Sequence, residues 1–260
     1  MRFFVMVDME GISGVVRPAQ VTAGDPEYAR ARDWMGRDVN ACVDGLFAGG
    51  AEEVVVRDAH GAGYNLLLDQ LDPRADYIQG SGNGPRMPGI GAMDGLVLLG
   101  YHAMAGTGQA VLEHTMSSKA WQSFRMNGTL SGEIAIDAGI AGDHGVPVIL
   151  VTGCEKACRE ARKLLPGTPT AAVKTAYGLE YARLLPLPRA QELIRGKAEA
   201  AARACAGIKP FRVKHPVRMR LELIERGRVP ENGNKPYLKT IDNRTYEVTG
   251  GSVEEALQRL

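Results

Sequence analysis

The sequence predicts an α/β protein with a mostly parallel central sheet flanked by helices and a smaller C-terminal α+β lobe. Two observations predict it. Up to residue 206, short apolar runs alternate with stretches whose apolar residues recur every three or four positions, as strands joined by helical crossovers do. From Lys209 onward the pattern changes to a period of two, with charges set between apolar residues, as in half-exposed antiparallel strands. The change places a boundary near residue 207, giving units 1–207 and 208–260.

Phe3 to Val7 is the first apolar run and ends in Asp8-Met9-Glu10-Gly11. A helix is expected next, with Asp25 as N-cap and Pro26 at its first position. Its apolar face is Tyr28, Ala31, Met35, Val39, Val43 and Leu46, and Gly49-Gly50 stops it. Glu53 to Arg57 is a second strand ending at Asp58-Ala59-His60-Gly61. A short helix over Leu66 to Leu71 leads to a third strand near Tyr77-Ile78. The Gly- and Pro-rich segment Gly80 to Asp94 reads as a loop, either a lid or an oligomer contact. Leu96 to Leu99 is a fourth strand that ends at Gly100-Tyr101-His102. Ser131 to Ala141 reads as helix and Val146 to Val151 as a buried strand. Helices over Glu155 to Leu165 and Arg189 to Ala206 complete the first unit. Phe211, Val213, Met219, Leu221 and Leu223 then mark an antiparallel strand pair, followed by a last helix from Ser252 to Arg259.

The bulk properties exclude several function classes. The 260 residues carry 31 basic and 30 acidic side chains, so no net charge draws the chain to nucleic acid or an anionic membrane. The basic residues between Lys209 and Arg220 lack interleaved exposed aromatics and read as the solvated face of a strand, not a nucleic-acid surface. No apolar run reaches the length of a bilayer span, and the N-terminus lacks the features of a signal peptide. Cys42, Cys154, Cys158 and Cys205 form no CxxC pair, so a reducing cytoplasm is the expected compartment.

Chemistry collects at the carboxyl ends of the predicted strands, where open α/β sheets bind ligands. Asp8 and Glu10 are two apart and share a side if the first strand runs on to Glu10. Asp58 and His60 end the second strand and His102 the fourth, while Glu133 lies in the first turn of a helix whose N-terminus faces the same edge. A strand-end acid by itself is ordinarily a turn former. Three strand ends aiming carboxylates and imidazoles at one rim instead form a metal-site constellation. Its oxygen and nitrogen donors suit zinc, and manganese or cobalt as well. His114, twelve residues beyond His102, is either a hydrogen-bonded loop histidine or a general acid/base or nucleophile beside the metals. Asp58 either orients a ligand imidazole or turns the chain. His144, His215 and the two helix cysteines Cys154 and Cys158 have structural readings.

Val7-Asp8-Met9-Glu10-Gly11-Ile12-Ser13-Gly14, Asp58-Ala59-His60, Gly100-Tyr101-His102, His114-Thr115-Met116, Gly132-Glu133 and Ala171-Ala172-Val173-Lys174 together resemble the DppA-type zinc-dependent D-aminopeptidases. The resemblance implies a pair of Zn2+ ions per subunit, bridged by Asp8. Glu10 and His60 would complete one metal, and His102 and Glu133 the other. It implies His114 at the catalytic step, as nucleophile or as acid/base. It further implies a cytoplasmic homodecamer, with active sites facing an internal channel, that removes N-terminal D-amino acids such as D-Ala from short peptides. Two rivals are weighed against it. A bimetal amidase or phosphoesterase would use the same centre, but a phosphoesterase calls for more cations than Arg57, Arg86 and Lys119 near the motifs. A metal-stabilised binding protein without catalysis would lack His114 or a ligand, and none is missing.

Overall fold

The computed structural model describes residues 1–260. The chain runs β1 (Arg2–Val7), α1 (Tyr28–Ala48), β2 (Glu53–Asp58), β3 (Asp76–Ile78), β4 (Gly95–Tyr101), β5 (Trp121–Met126) and β6 (Thr129–Leu130). It continues with α2 (Glu133–Asp143), β7 (Val148–Cys154), α3 (Glu155–Leu164), β8 (Thr170–Gly178), β9 (Tyr181–Leu184) and α4 (Leu187–Ala204). The last elements are β10 (Val217–Leu223), β11 (Leu238–Thr240), β12 (Thr245–Gly250) and α5 (Val253–Gln258).

Seven strands form a sheet in the order β3-β2-β1-β4-β7-β8-β9, parallel throughout except for β9. The chain leaves β1 toward β2 on one side and returns to the other side as β4. That reversal opens a crevice at the carboxyl ends of β1 and β4. Successive residues of a strand face opposite sides, so β1 feeds two cores. Phe3, Val5 and Val7 join α1 and α4 on one face, while Phe4 and Met6 join α2, α3 and the second sheet on the other. Both faces are covered, which is why β1, β4 and β7 read as unbroken apolar runs instead of alternating.

The second sheet is antiparallel, in the order β11-β12-β10-β5-β6. Residues 208–260 do not build it alone, because the β5–β6 hairpin completes it. Its inner face, including Phe124, Met219, Leu221 and Val248, shares one core with the central sheet.

Three sequence expectations need correction. Helix α1 starts at Tyr28 after a turn in which the Tyr28 N–H donates to the Asp25 carbonyl, and no side chain caps it. Its end is as expected: Ala51 N–H donates to Leu46 O and Gly50 N–H to Phe47 O, with Gly50 at φ +98°. The segment Leu66 to Leu71 holds only a single 3-10 turn, Leu68–Gln70. Phe211 and Val213 pack on the second core, but their segment pairs with no strand. Strands β5, β6, β8, β9, β11 and β12 are additional to those the sequence predicts.

Candidate metal centre

Strand β1 stops at Val7, so Asp8 and Glu10 lie on a tight turn and not on a continued strand. The turn is clamped by three elements, β4, α1 and β8. Asp8 N–H donates to Leu99 O at 2.9 Å, and Gly11 N–H to Gly100 O at 2.8 Å. Asp38 of α1 accepts from Ser13 N–H (2.8 Å) and from Ser13 Oγ (2.6 Å). The Lys174 ammonium of β8 donates to the carbonyls of Glu10 (2.7 Å) and Val15 (2.6 Å). A Cβ on Gly11 would sit 2.1 Å from the Tyr101 carbonyl, so only glycine lets the turn lie this close to β4. Burial lowers the Lys174 pKa to about 8, and it raises that of Asp38 to about 6.

The other donors arrive by the expected routes. Asp58 ends β2 and accepts four hydrogen bonds from the loop after it: His60 N–H, Asn65 N–H, Leu66 N–H and the Asn65 side-chain amide. It therefore holds the backbone that carries His60 and does not touch the imidazole, which settles the choice between its two readings. His102 follows β4. Glu133 opens α2, where the helix N-terminus favours a carboxylate.

These residues meet in two groups whose potential ligand atoms lie within 4.8 Å of one another: Asp8, Glu10 and His60, and beside them His102, His114 and Glu133. Asp8 belongs to both neighbourhoods, with Oδ1 3.3 Å from His60 Nδ1 and Oδ2 3.3 Å from His102 Nε2. Glu10 Oε2 lies 3.0 Å from His60 Nδ1, and Glu133 Oε1 lies 3.5 Å from His102 Nε2. His114 stacks on His102 with ring centroids 4.0 Å apart, and its Nε2 stands 3.8 Å from Glu133 Oε1.

Each imidazole spends its other nitrogen on a backbone carbonyl: His60 Nε2 on Val21 (2.8 Å), His102 Nδ1 on Ala103 (3.0 Å) and His114 Nδ1 on Leu112 (2.9 Å). A carbonyl only accepts, so those nitrogens carry the protons and the lone pairs of the neutral rings face the carboxylates. Lone pairs facing carboxylate oxygens in a buried site require a cation between them. Asp8 Oδ2, Glu10 Oε2 and His102 Nε2 are buried without a hydrogen-bond partner, three of the four such side-chain atoms in the chain. Orphaned donors of this kind, all oxygen and nitrogen, fit a zinc-type site.

Without a metal, protons take its place. Burial opposes charge on His60, but Glu10 and Asp8 prevail and raise its pKa to about 12. Glu133 and Asp8 likewise outweigh burial and lift His102 well above its ordinary value. The Asp8 carboxyl, buried yet facing both imidazoles at 3.3 Å, is held well below its usual range.

A cavity of about 350 Å³ opens onto both groups, and its wall also carries Arg86 and Lys119. Arg86 is the part of the Gly80–Asp94 loop that reaches the centre; Gly80, Ser81, Gly82 and Gly84 line an adjoining cavity of about 230 Å³. His144 and His215 stand apart, the latter 2.8 Å from Asp143. All four cysteines are buried and unpaired. No helix is long and apolar enough to cross a membrane.

The whole chain, residues 1–260, matches the M55 peptidase family model, described as D-aminopeptidase. The D-aminopeptidase of Bacillus subtilis (strain 168) is 35% identical over 215 residues, spanning 81% of this chain and 77% of that protein. Among solved structures, the Zn-dependent D-aminopeptidase DppA from Bacillus subtilis, described as a self-compartmentalizing protease, superposes with a TM-score of 0.94. It is 31% identical, and the match covers 99% of this chain and 94% of that one. A crevice at the β1–β4 reversal, two adjoining clusters of orphaned donors and a match along the full length agree: the chain belongs to the M55 family of D-aminopeptidases.

Proposed function

We propose that this protein is a zinc-dependent aminopeptidase that releases N-terminal D-amino acids, D-Ala among them, from short peptides, using two metal ions per subunit. The observation that carries the reading is the Asp8 carboxylate, which turns one oxygen toward each donor group. Glu10 and His60 would hold one ion, and His102 and Glu133 the other. A zinc pair supplies Lewis acidity for the scissile carbonyl and lowers the pKa of water. The chain's own residues do the remainder. Glu133 is fixed by Met116 N–H, which donates to its Oε1 at 2.7 Å. His114, its Nδ1–H tied to Leu112 O, keeps Nε2 open to the cavity as the group that moves a proton at the reacting centre. Direct attack by the same nitrogen is the competing use of it.

The cavity volume lies near the lower end of the roughly 300–1,000 Å³ typical of ligand pockets, in keeping with a short substrate. Self-association of the kind named for the Bacillus relative is supported by the β8–β9 hairpin at the sheet edge. There Tyr177, Leu179, Tyr181 and Leu184 are exposed to between 38% and 67%. A ring-stacked homodecamer in the cytoplasm is the assembly and compartment we infer, and the 1–207 and 208–260 units remain the proposed division of the chain.

The test is one preparation assayed for bound zinc and for turnover of D-Ala-D-Ala, L-Ala-L-Ala and a simple phosphate ester. About two zinc ions per subunit and turnover of the D-peptide are expected. Turnover of the ester alone would overturn the reading.

A further inference from the structure

Arg86 and Lys119 are the cations in the wall of the metal cavity. The guanidinium of Arg86 is gripped from behind. Its Nε and Nη2 donate to the two oxygens of fully buried Asp137 at 2.5 and 3.0 Å, and Asp137 Oδ2 also accepts from Tyr101 O–H at 2.5 Å. The Arg86 backbone N–H is tied to Glu254 of α5 at 2.6 Å. Nη1 makes no hydrogen bond within the chain, and Arg86 lines both the metal cavity and the one adjoining it. Lys119 is exposed and makes no ion pair. A clamped guanidinium with a free edge is a preorganised receptor for a carboxylate, since the fork of N–H groups matches its two oxygens.

The wall of the cavity thus carries both signs, the carboxylates of the metal groups and the two cations Arg86 and Lys119. A short peptide with free ends carries the complementary pair, an ammonium and a carboxylate separated by one or two peptide bonds. We propose that Arg86, assisted by Lys119, receives the terminal carboxylate of the substrate, so that the enzyme selects short peptides with a free C-terminus over carboxyl-blocked ones. The proposal rests on the peptidase reading above and adds two specificity residues to it.

The experiment compares D-Ala-D-Ala with its C-terminal amide, measuring kcat and KM for each with the zinc-loaded wild type, Arg86→Gln and Lys119→Met. A hydrogen-bonded charge pair of this kind is worth on the order of tenfold or more. Wild type should therefore prefer the free acid by about that factor in kcat/KM, chiefly through KM. Each substitution should raise KM for the acid more than it lowers kcat, moving the preference toward unity. Arg86→Gln takes from Asp137 its charged partner and risks misfolding; Lys119→Met changes only an exposed side chain and keeps the test alive. A wild-type preference near unity, or a preference unchanged in both variants, overturns the proposal. If neither peptide is turned over, the peptidase reading fails separately. Equilibrium binding of the two peptides then decides the anchor, with equal affinities overturning it.

Discussion

His114 differs from the other two imidazoles at the level of a single atom. Its Nε2 meets no oxygen closer than Glu133 Oε1, at 3.8 Å, whereas His60 and His102 each face carboxylate oxygens from 3.0 to 3.5 Å. His114→Ala is therefore expected to keep both metals and lose roughly 10²- to 10⁴-fold in kcat, the range of a lost acid/base group. Zinc content and turnover of the same sample check it, and full activity would remove His114 from the chemistry. Legibility at this scale followed position. Asp8, His60 and His102 close apolar runs, where a polar residue stands out. Asp38, Lys174 and Asp137 sit inside a helix, a strand and a helix, and acquire their roles only through partners 25, 164 and 51 residues away. Lys174 enters the sequence reading only as the end of a family motif, and nothing local marks Asp38 or Asp137.

Among the elements, the turn after β1 carries the most chemistry and depends on its neighbours. Asp38 holds it from α1, yet its own carboxyl is buried and its pKa rises from 3.8 to about 6. A raised carboxyl pKa means that the folded state binds the proton more tightly. The associated stability is complete below pH 4 and is lost as pH climbs through 6. The difference corresponds to about 3 kcal/mol. Asp38→Asn can still accept from Ser13 N–H and donate to Ser13 Oγ without the charge. Relative to wild type it should gain about 3 kcal/mol between pH 4 and pH 7. Urea denaturation across that range measures it, and a constant difference between the two proteins would sink the idea.

The missed elements have physical reasons too. The β5–β6 hairpin turns on Asn127-Gly128, at φ 48° and 83°, the dipeptide that favours a two-residue turn with both residues left-handed. That signal was present in the sequence between Met126 and Thr129. Strand β8 is Thr-Ala-Ala-Val-Lys-Thr-Ala-Tyr-Gly, with small residues and a buried lysine where a central strand usually shows Val, Ile or Leu. Its composition answers to the turn it supports and not to its own propensity.

Across the whole molecule, the proposed metal donors come from just beyond the ends of β1, β2 and β4 and from the start of α2, so metal binding would tie distant parts of the chain to one point. The fold class was legible because periodicity survives along each element. The docking of the second sheet was not, because that core draws on residues from Phe4 to Ala256 and no local pattern records the pairing. Chelation of bound zinc should lower Tm by roughly 5–10 °C if zinc was present at about a hundredfold its Kd. Adding zinc back should restore Tm. Thermal unfolding with and without chelator checks this, and an unchanged Tm would mean that the ions do not join these elements.

The protons of the three imidazoles are assigned by the carbonyls of Val21, Ala103 and Leu112. An amino-acid replacement cannot delete a carbonyl. Inherited variation at these three positions can therefore reshape the cavity, which the Val21 side chain lines, while the tautomers of the catalytic centre are passed on unaltered.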